Sequence, residues 1–168
     1  WWFEFSYPNE SVVTADELHV PVGTVVDVSL VSDNVIHGFW VPPLAGKMDI
    51  IPGHANQMWF KADVPGTYRG ECTEFCGAQH AHMDFVVVAQ TQADYDAWIA
   101  AQQASPSTPS AGGPEANGMT LFNSKGCSAC HVIGTPPEGL YPIGPNLTHF
   151  GSRMLIAGGV LDNNSTNL

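Results

Sequence analysis

Four metal-ligating side chains crowd into the twelve residues from Cys72 to Met83: Cys72, Cys76, His80 and Met83. Thiolate and thioether sulfur select soft metals, and imidazole suits copper or zinc. The stretch lies between two strand-like runs, so the fold has to offer a loop between strands as a metal cradle. A mononuclear copper site with two imidazoles, a thiolate and a weak axial ligand uses one cysteine. This loop holds two. Two thiolates can each bridge two metals, and each metal then needs one imidazole and one weak axial ligand. His80 and Met83 supply one of each. His37 ends part of a strand-like run, Val35-Ile36-His37-Gly38-Phe39-Trp40, and is the leading candidate for the second imidazole. The backbone carbonyl of Glu74, midway between the thiolates, is placed for the second axial position. Two plainer readings stand beside this one: a Cys72–Cys76 disulfide, or zinc on Cys72, Cys76, His80 and one further ligand. His19 and His54 lack such neighbours and read as surface residues. His82 adjoins two candidate ligands but alternates away from Met83.

The framework around the loop reads as β structure. Val26, Val28 and Leu30 alternate with polar residues, as do Met58, Phe60 and Ala62, and Met83 to Gln90 looks like a closing strand. Gly23, Pro42-Pro43, Pro52-Gly53 and Pro65-Gly66 punctuate residues 11–90 at the spacing of a β-sandwich or barrel. At 44% hydrophobic and 12% charged residues, the chain has the means to bury a core. Its longest apolar run, Phe85 to Ala89, is strand-sized and far below the roughly 18 residues that cross a bilayer. The opening Trp1-Trp2-Phe3-Glu4-Phe5 lacks the basic flank and apolar stretch of a signal peptide, so a mature or excised soluble portion is expected. Residues 1–100 hold 13 acidic and 3 basic side chains, against 3 and 2 in residues 101–168. Such a surface repels nucleic acid; it suits a basic protein partner or serves solubility alone.

Beyond residue 90 the pattern changes. Thr91 with Asp94 predicts a capped helix over about 91–103, with Tyr95, Trp98 and Ile99 on one face. Residues 104–116 (ASPSTPSAGGPEA) read as a linker, spanning on the order of 20 Å as a coil or about 40 Å if extended. The predicted organisation is therefore a β domain over 1–103, a linker over 104–116 and a small second module over 117–168. In that module Gly118 to Lys125 reads as a short helix and the remainder as loop.

The first hundred residues resemble the copper A domain of cytochrome c oxidase subunit II. The resemblance rests on the aromatic opening, on Val35-Ile36-His37-Gly38-Phe39-Trp40-Val41-Pro42, on Lys47-Met48-Asp49-Ile50-Ile51-Pro52-Gly53, and on the Cys72–Met83 loop. It implies a mainly β, cupredoxin-like Greek-key sandwich or barrel. It also implies a binuclear, mixed-valence copper centre bound by His37, Cys72, Cys76, His80, Met83 and the Glu74 carbonyl. The Glu74 carboxylate is then expected at a magnesium site shared with subunit I. Trp1 matches the surface tryptophan through which the electron enters, with Trp2 next in register. Asn34 departs from the family, where many members carry an acidic residue three positions before the first histidine.

Gly126-Cys127-Ser128-Ala129-Cys130-His131 is the attachment signature of c-type haem, two thioether cysteines followed by an iron-ligating histidine. A redox CxxC pair is the alternative, but the βαβ pattern that accompanies one is missing. The surroundings resemble a small α-helical class I cytochrome c, with Gly144-Pro145-Asn146-Leu147 after the motif. That resemblance implies that the Pro145 carbonyl accepts the Nδ1 proton of His131. Met154 follows His131 too closely for the distal ligand of such a domain. The sixth ligand is therefore expected beyond Leu168, with Met154 and then His149 as weaker candidates, and the cytochrome module is expected to be incomplete.

Together these features resemble an oxidase subunit II with a fused cytochrome c. The implied relay runs from an external donor, a basic cytochrome suiting the acidic face, through haem c and the copper pair to subunit I, where oxygen is reduced. The family places both domains on the periplasmic face of the cytoplasmic membrane, met only through helices preceding Trp1 and through subunit I. No nucleophile–base pair, phosphate loop or paired carboxylates suggest other chemistry. A copper-bearing subunit of a nitric oxide reductase and a copper-delivery cupredoxin are the alternative functions. A nitrous oxide reductase fits less well, because its copper domain has no haem module after it.

Overall fold

Alternation of apolar and polar side chains builds most of the strands, and turns at Gly and Pro end them. The computed structural model describes residues 1–135 and 143–168. Nine strands form the first unit: β1 (Glu4–Tyr7), β2 (Val12–Ala15), β3 (Glu17–Pro21), β4 (Val25–Leu30), β5 (His37–Phe39), β6 (Met48–Ile50), β7 (Asn56–Lys61), β8 (Gly66–Glu71) and β9 (Asp84–Gln90). A three-stranded sheet has the order β3-β9-β8, with β9 parallel to β3 and antiparallel to β8. Antiparallel pairs β1–β2, β4–β7 and β5–β6 surround it. In β4 the side chains Val26, Val28 and Leu30 turn inward, as their alternation predicts, and Phe60 of β7 is fully buried. β9 is buried almost throughout, which explains why it reads as a continuous Val run rather than as alternation.

Phe3, Phe5, Phe39 and Phe85 form the centre of the core. The Phe3 and Phe85 rings lie 4.5 Å apart, and the Phe39 and Phe85 rings 4.8 Å apart. Gly70 on β8 leaves room for them, since a Cβ there would lie 2.2 Å from the Phe85 ring. This cluster sits directly beneath the strand that carries His37.

Helix α1 (Gln92–Gln103) starts where the capping signal places it, with the Thr91 hydroxyl oxygen accepting from the Asp94 amide at 3.2 Å. Trp98 lies parallel to His19 with 4.0 Å between ring centroids, and 5.3 Å from Tyr7. His19 is accordingly buried, contrary to its reading as a surface residue. The stacking partner comes from a helix nearly eighty residues later, so nothing local marks it.

The second unit begins with α2 (Pro114–Ser124). The helix starts inside the stretch assigned to the linker, because Pro114 occupies its first turn, where the missing N–H costs nothing. A 3-10 turn at Cys127–Ala129 follows. Further on, β10 (Leu155–Ile156) and β11 (Leu161–Asp162) form a small hairpin that propensity reads as loop. No helix among the described residues is long and apolar enough to cross a membrane.

Because Phe85 is completely buried amid aromatic neighbours, Phe85→Ala is expected to cost about 3–5 kcal/mol of unfolding free energy, measurable by chemical denaturation of the metal-free chain.

Candidate metal centre

Two segments converge at the metal centre. β5 contributes His37 and the β8–β9 connection contributes the rest. The neck of that connection is closed by the Cys72 amide donating to the Met83 carbonyl at 3.0 Å, while the Glu71 amide, donating to the Trp40 carbonyl at 3.0 Å, ties the end of β8 to the segment after β5. Left-handed backbone at Gly77 and Gln79 then folds the loop back on itself. Gly38 lets the segments meet: a Cβ there would lie 2.1 Å from the Thr73 hydroxyl and 3.0 Å from the Thr73 amide nitrogen. Its own N–H donates to Cys72 Sγ at 3.5 Å.

The six predicted donors come together. Cys72 and Cys76 are both free thiols with their sulfurs 3.9 Å apart, which removes the disulfide reading. His37 Nδ1 lies 3.9 Å from Cys72 Sγ, and His80 Nδ1 lies 3.4 Å from Cys76 Sγ. The Glu74 carbonyl is 3.3 Å from Cys72 Sγ, and Met83 Sδ is 3.9 Å from Cys76 Sγ. Each thiol thus has its own imidazole and its own weak donor. A bridged metal pair uses such a twofold donor set in full, whereas a single four-coordinate zinc would leave two donors idle. His37, Cys72, Cys76 and Met83 are buried, and the ligand atoms of the first three lie within 4.8 Å of one another. His82 is exposed and turned to Gln79, and His54 is exposed; neither joins the cluster.

The electrostatics are those of a site built to be filled. Burial, then the neighbouring Cys72 thiol, pushes the Cys76 thiol up to about 11. Burial, and then the nearby His80, hold His37 below its ordinary value, which keeps the imidazole neutral and able to ligate. The Asn34 amide oxygen lies 2.8 Å from His37 Nε2 and must accept its proton, leaving Nδ1 for a metal. Sequence reasoning singled out Asn34 as a departure from the family. It missed Gly38, whose signal is a side-chain-free residue within a buried strand.

Trp1 borders the cluster. Its indole N–H donates to the Cys76 carbonyl at 2.8 Å, its ring is 5.9 Å from that of His37, and half of its surface is open to solvent. Trp2 makes neither contact. Among the described residues the Glu74 carboxylate belongs to no cluster of three or more metal-binding side chains.

In the second unit, Cys127 and Cys130 are exposed free thiols flanking the 3-10 turn. His131 Nδ1 lies 2.8 Å from the Pro145 carbonyl, as the resemblance implies. Gly144 donates to the Cys130 carbonyl at 2.8 Å, and a Cβ on it would lie 2.5 Å from the imidazole. The ring is therefore fixed from two sides, through Nδ1 and by the close approach of Gly144. His131 lines a cavity of about 380 Å³ together with Trp1, Trp2, Leu147 and Phe150. Met154 and His149 do not line it.

Residues 4–90 match the family model described as cytochrome c oxidase subunit II, periplasmic domain. The chain belongs to this family. The subunit II match covers the whole β domain, and that description puts the domain on the periplasmic side. Cytochrome c oxidase subunit 2 of Alkalihalophilus pseudofirmus is 40% identical over 168 residues, covering 99% of this chain and 47% of the relative. The corresponding subunit of Bacillus sp. PS3 is 36% identical over 178 residues, covering all of this chain and 49% of the relative. The chain thus spans about half the length of these curated relatives, and the alignments run on past the linker. The crystal structure of the periplasmic domain of cytochrome oxidase subunit II from Bradyrhizobium japonicum superposes with a TM-score of 0.59 at 28% identity, over 61% of this chain and 86% of that one.

With its thiol raised to about 11, Cys76 of the metal-free subunit II chain carries thiolate on the order of one part in a thousand near pH 8. Mapped alkylation should find it far slower than Cys127 and Cys130, with a rate that keeps climbing toward pH 11.

Proposed function

We propose that this chain is the electron-accepting portion of subunit II of a haem–copper terminal oxidase, and that a pair of copper ions bound by His37, Cys72, Cys76, His80, Met83 and the Glu74 carbonyl is its redox centre. The observation that carries this reading is the twofold donor set, in which each buried thiol has its own imidazole and its own weak donor. A copper pair bound there would take up and release one electron, with the charge shared over two metals and two soft sulfurs.

The protein's own contribution is rigidity and placement. Gly38 and Asn34 hold Cys72 and His37 from behind, so the donor positions are set by the β framework before any metal arrives. A preset donor cage keeps ligand geometry similar in both redox states, which is what fast electron transfer needs. Trp1 offers an exposed aromatic edge hydrogen-bonded to a ligand-bearing residue, a suitable point of contact for a donor. Phe75, between Glu74 and Cys76, is 81% exposed and gives the same loop an apolar tip suited to the partner, subunit I, that takes the electron onward to oxygen.

The second unit supports a finer reading, a haem c held by Cys127, Cys130 and His131. A covalent haem would supply a further one-electron carrier. The pinned His131 ring and the cavity it shares with Trp1 and Trp2 favour this reading over a redox dithiol.

Copper-loaded protein should give a seven-line electron paramagnetic resonance pattern, from one unpaired electron on two equivalent spin-3/2 nuclei. Cys76→Ser should abolish it. Four lines in the unmutated chain would overturn the paired site.

A pyridine haemochrome spectrum tests the second carrier separately. Protein matured with a haem-attachment system should show the c-type spectrum, and Cys127→Ala together with Cys130→Ala should lose it while the copper signal persists.

A further inference from the structure

We propose that the β10–β11 hairpin is a clamp that fixes the CxxCH-bearing unit onto the β domain at one position, so that the linker joins two docked bodies rather than loosely tethering them. The clamp has two contacts on neighbouring strands of one sheet.

At the first contact, Glu17 of β3 accepts from two successive main-chain amides, those of Met154 and of Leu155, the latter at 3.1 Å. Glu17 is only 4% exposed. A buried carboxylate is costly unless it is hydrogen-bonded, and the hairpin supplies main-chain donors for it. The second oxygen of Glu17 lies 3.6 Å from His19 Nε2, outside hydrogen-bond distance, and His19 is stacked on Trp98. The hairpin is thus bonded to β3 through Glu17, two residues from the His19 ring on which Trp98 of α1 stacks.

At the second contact, the turn between β10 and β11 lies against the start of β9, immediately after the candidate ligand Met83. The Asp84 amide donates to the Gly158 carbonyl at 2.7 Å. A Cβ on Gly158 would lie 2.6 Å from the His82 carbonyl oxygen, and one on Gly159 would lie 2.3 Å from the Asp84 carbonyl oxygen. Both obstacles are backbone and cannot swing aside. Both glycines also have positive φ, 72° and 79°. The turn therefore approaches the β domain as closely as main chain can, and only glycine permits it.

The hairpin belongs firmly to its own unit. The Asn163 amide group donates to the Phe150 and Arg153 carbonyls at 2.7 and 3.0 Å, and Arg153 reaches the Asn146 carbonyl. Asn146 neighbours Pro145, the partner of His131. A rigid path consequently runs from Glu17 to the His131 ring, and it holds the shared cavity against Trp1 and Trp2. Nothing in this path needs a metal or a haem, so the clamp stands or falls independently of the redox assignment.

Hydrogen exchange and 15N relaxation on the 168-residue chain test it. The Met154, Leu155 and Asp84 amides should be protected, and both units should tumble with one rotational correlation time. Glu17→Ala and Gly159→Ala should each lower that protection by about tenfold or more and let residues 117–168 tumble faster, while the β8 amides and the β9 amides after Asp84 stay protected. Should Glu17→Ala disturb β3 itself, Gly159→Ala, which lies outside the β domain, decides the matter. Unprotected amides in the unmutated chain, separate tumbling of the two units, or undiminished protection in Gly159→Ala would each overturn the clamp.

Discussion

The close passage of β5 over the Cys72–Met83 loop is the contact on which the site depends. Gly38 has no side chain to hold the two segments apart, and its amide points at the Cys72 sulfur. Without that approach His37 would stand a side chain's width away from the thiols, and the remaining donors would form a lopsided half-site. The aromatic cluster of Phe3, Phe39 and Phe85 serves the same contact from below, since Phe39 belongs to the strand that carries His37 and Phe85 follows directly on the loop. Core packing and site geometry are therefore one problem here, solved by the same few residues.

Burial gives the site its chemical character. Two thiols, an imidazole and a thioether removed from water are poorly served as neutral groups among apolar neighbours, and the Cys76 thiol resists ionising there. A soft cation reverses this balance, because thiolates bound to metal no longer need water. A soft cation bound there would therefore take the place of the thiol protons and release them.

Much of this was legible in the sequence, and for local reasons. Cys72, Cys76, His80 and Met83 announce themselves because all lie within one loop, and the CxxCH motif is likewise contiguous. His37 was reachable because a strand end can approach a loop in any sandwich. The alternation in β4 and β7 and the Thr91 cap depend on neighbouring residues only, and each appears where expected. What stayed hidden depends on distant pairings. His19 is buried because Trp98 lies on it, Glu17 because a hairpin some 140 residues later caps it, and Gly158 because the start of β9 leaves no room for a Cβ. The start of α2 was missed for a subtler reason. Pro114 belongs to both vocabularies, linker and first helical turn, and composition weighed toward the linker.

The parallel pairing of β3 with β9 sets an order of assembly. Residues 17–21 find their sheet neighbour only in residues 86–90, on the far side of every candidate metal ligand. A chain emerging from its N-terminus therefore keeps β3 without that neighbour until the whole loop has followed. Such long-range closure is slow compared with hairpin formation. The Cys72–Met83 loop runs directly into β9, so the donor cage closes late, together with the sheet.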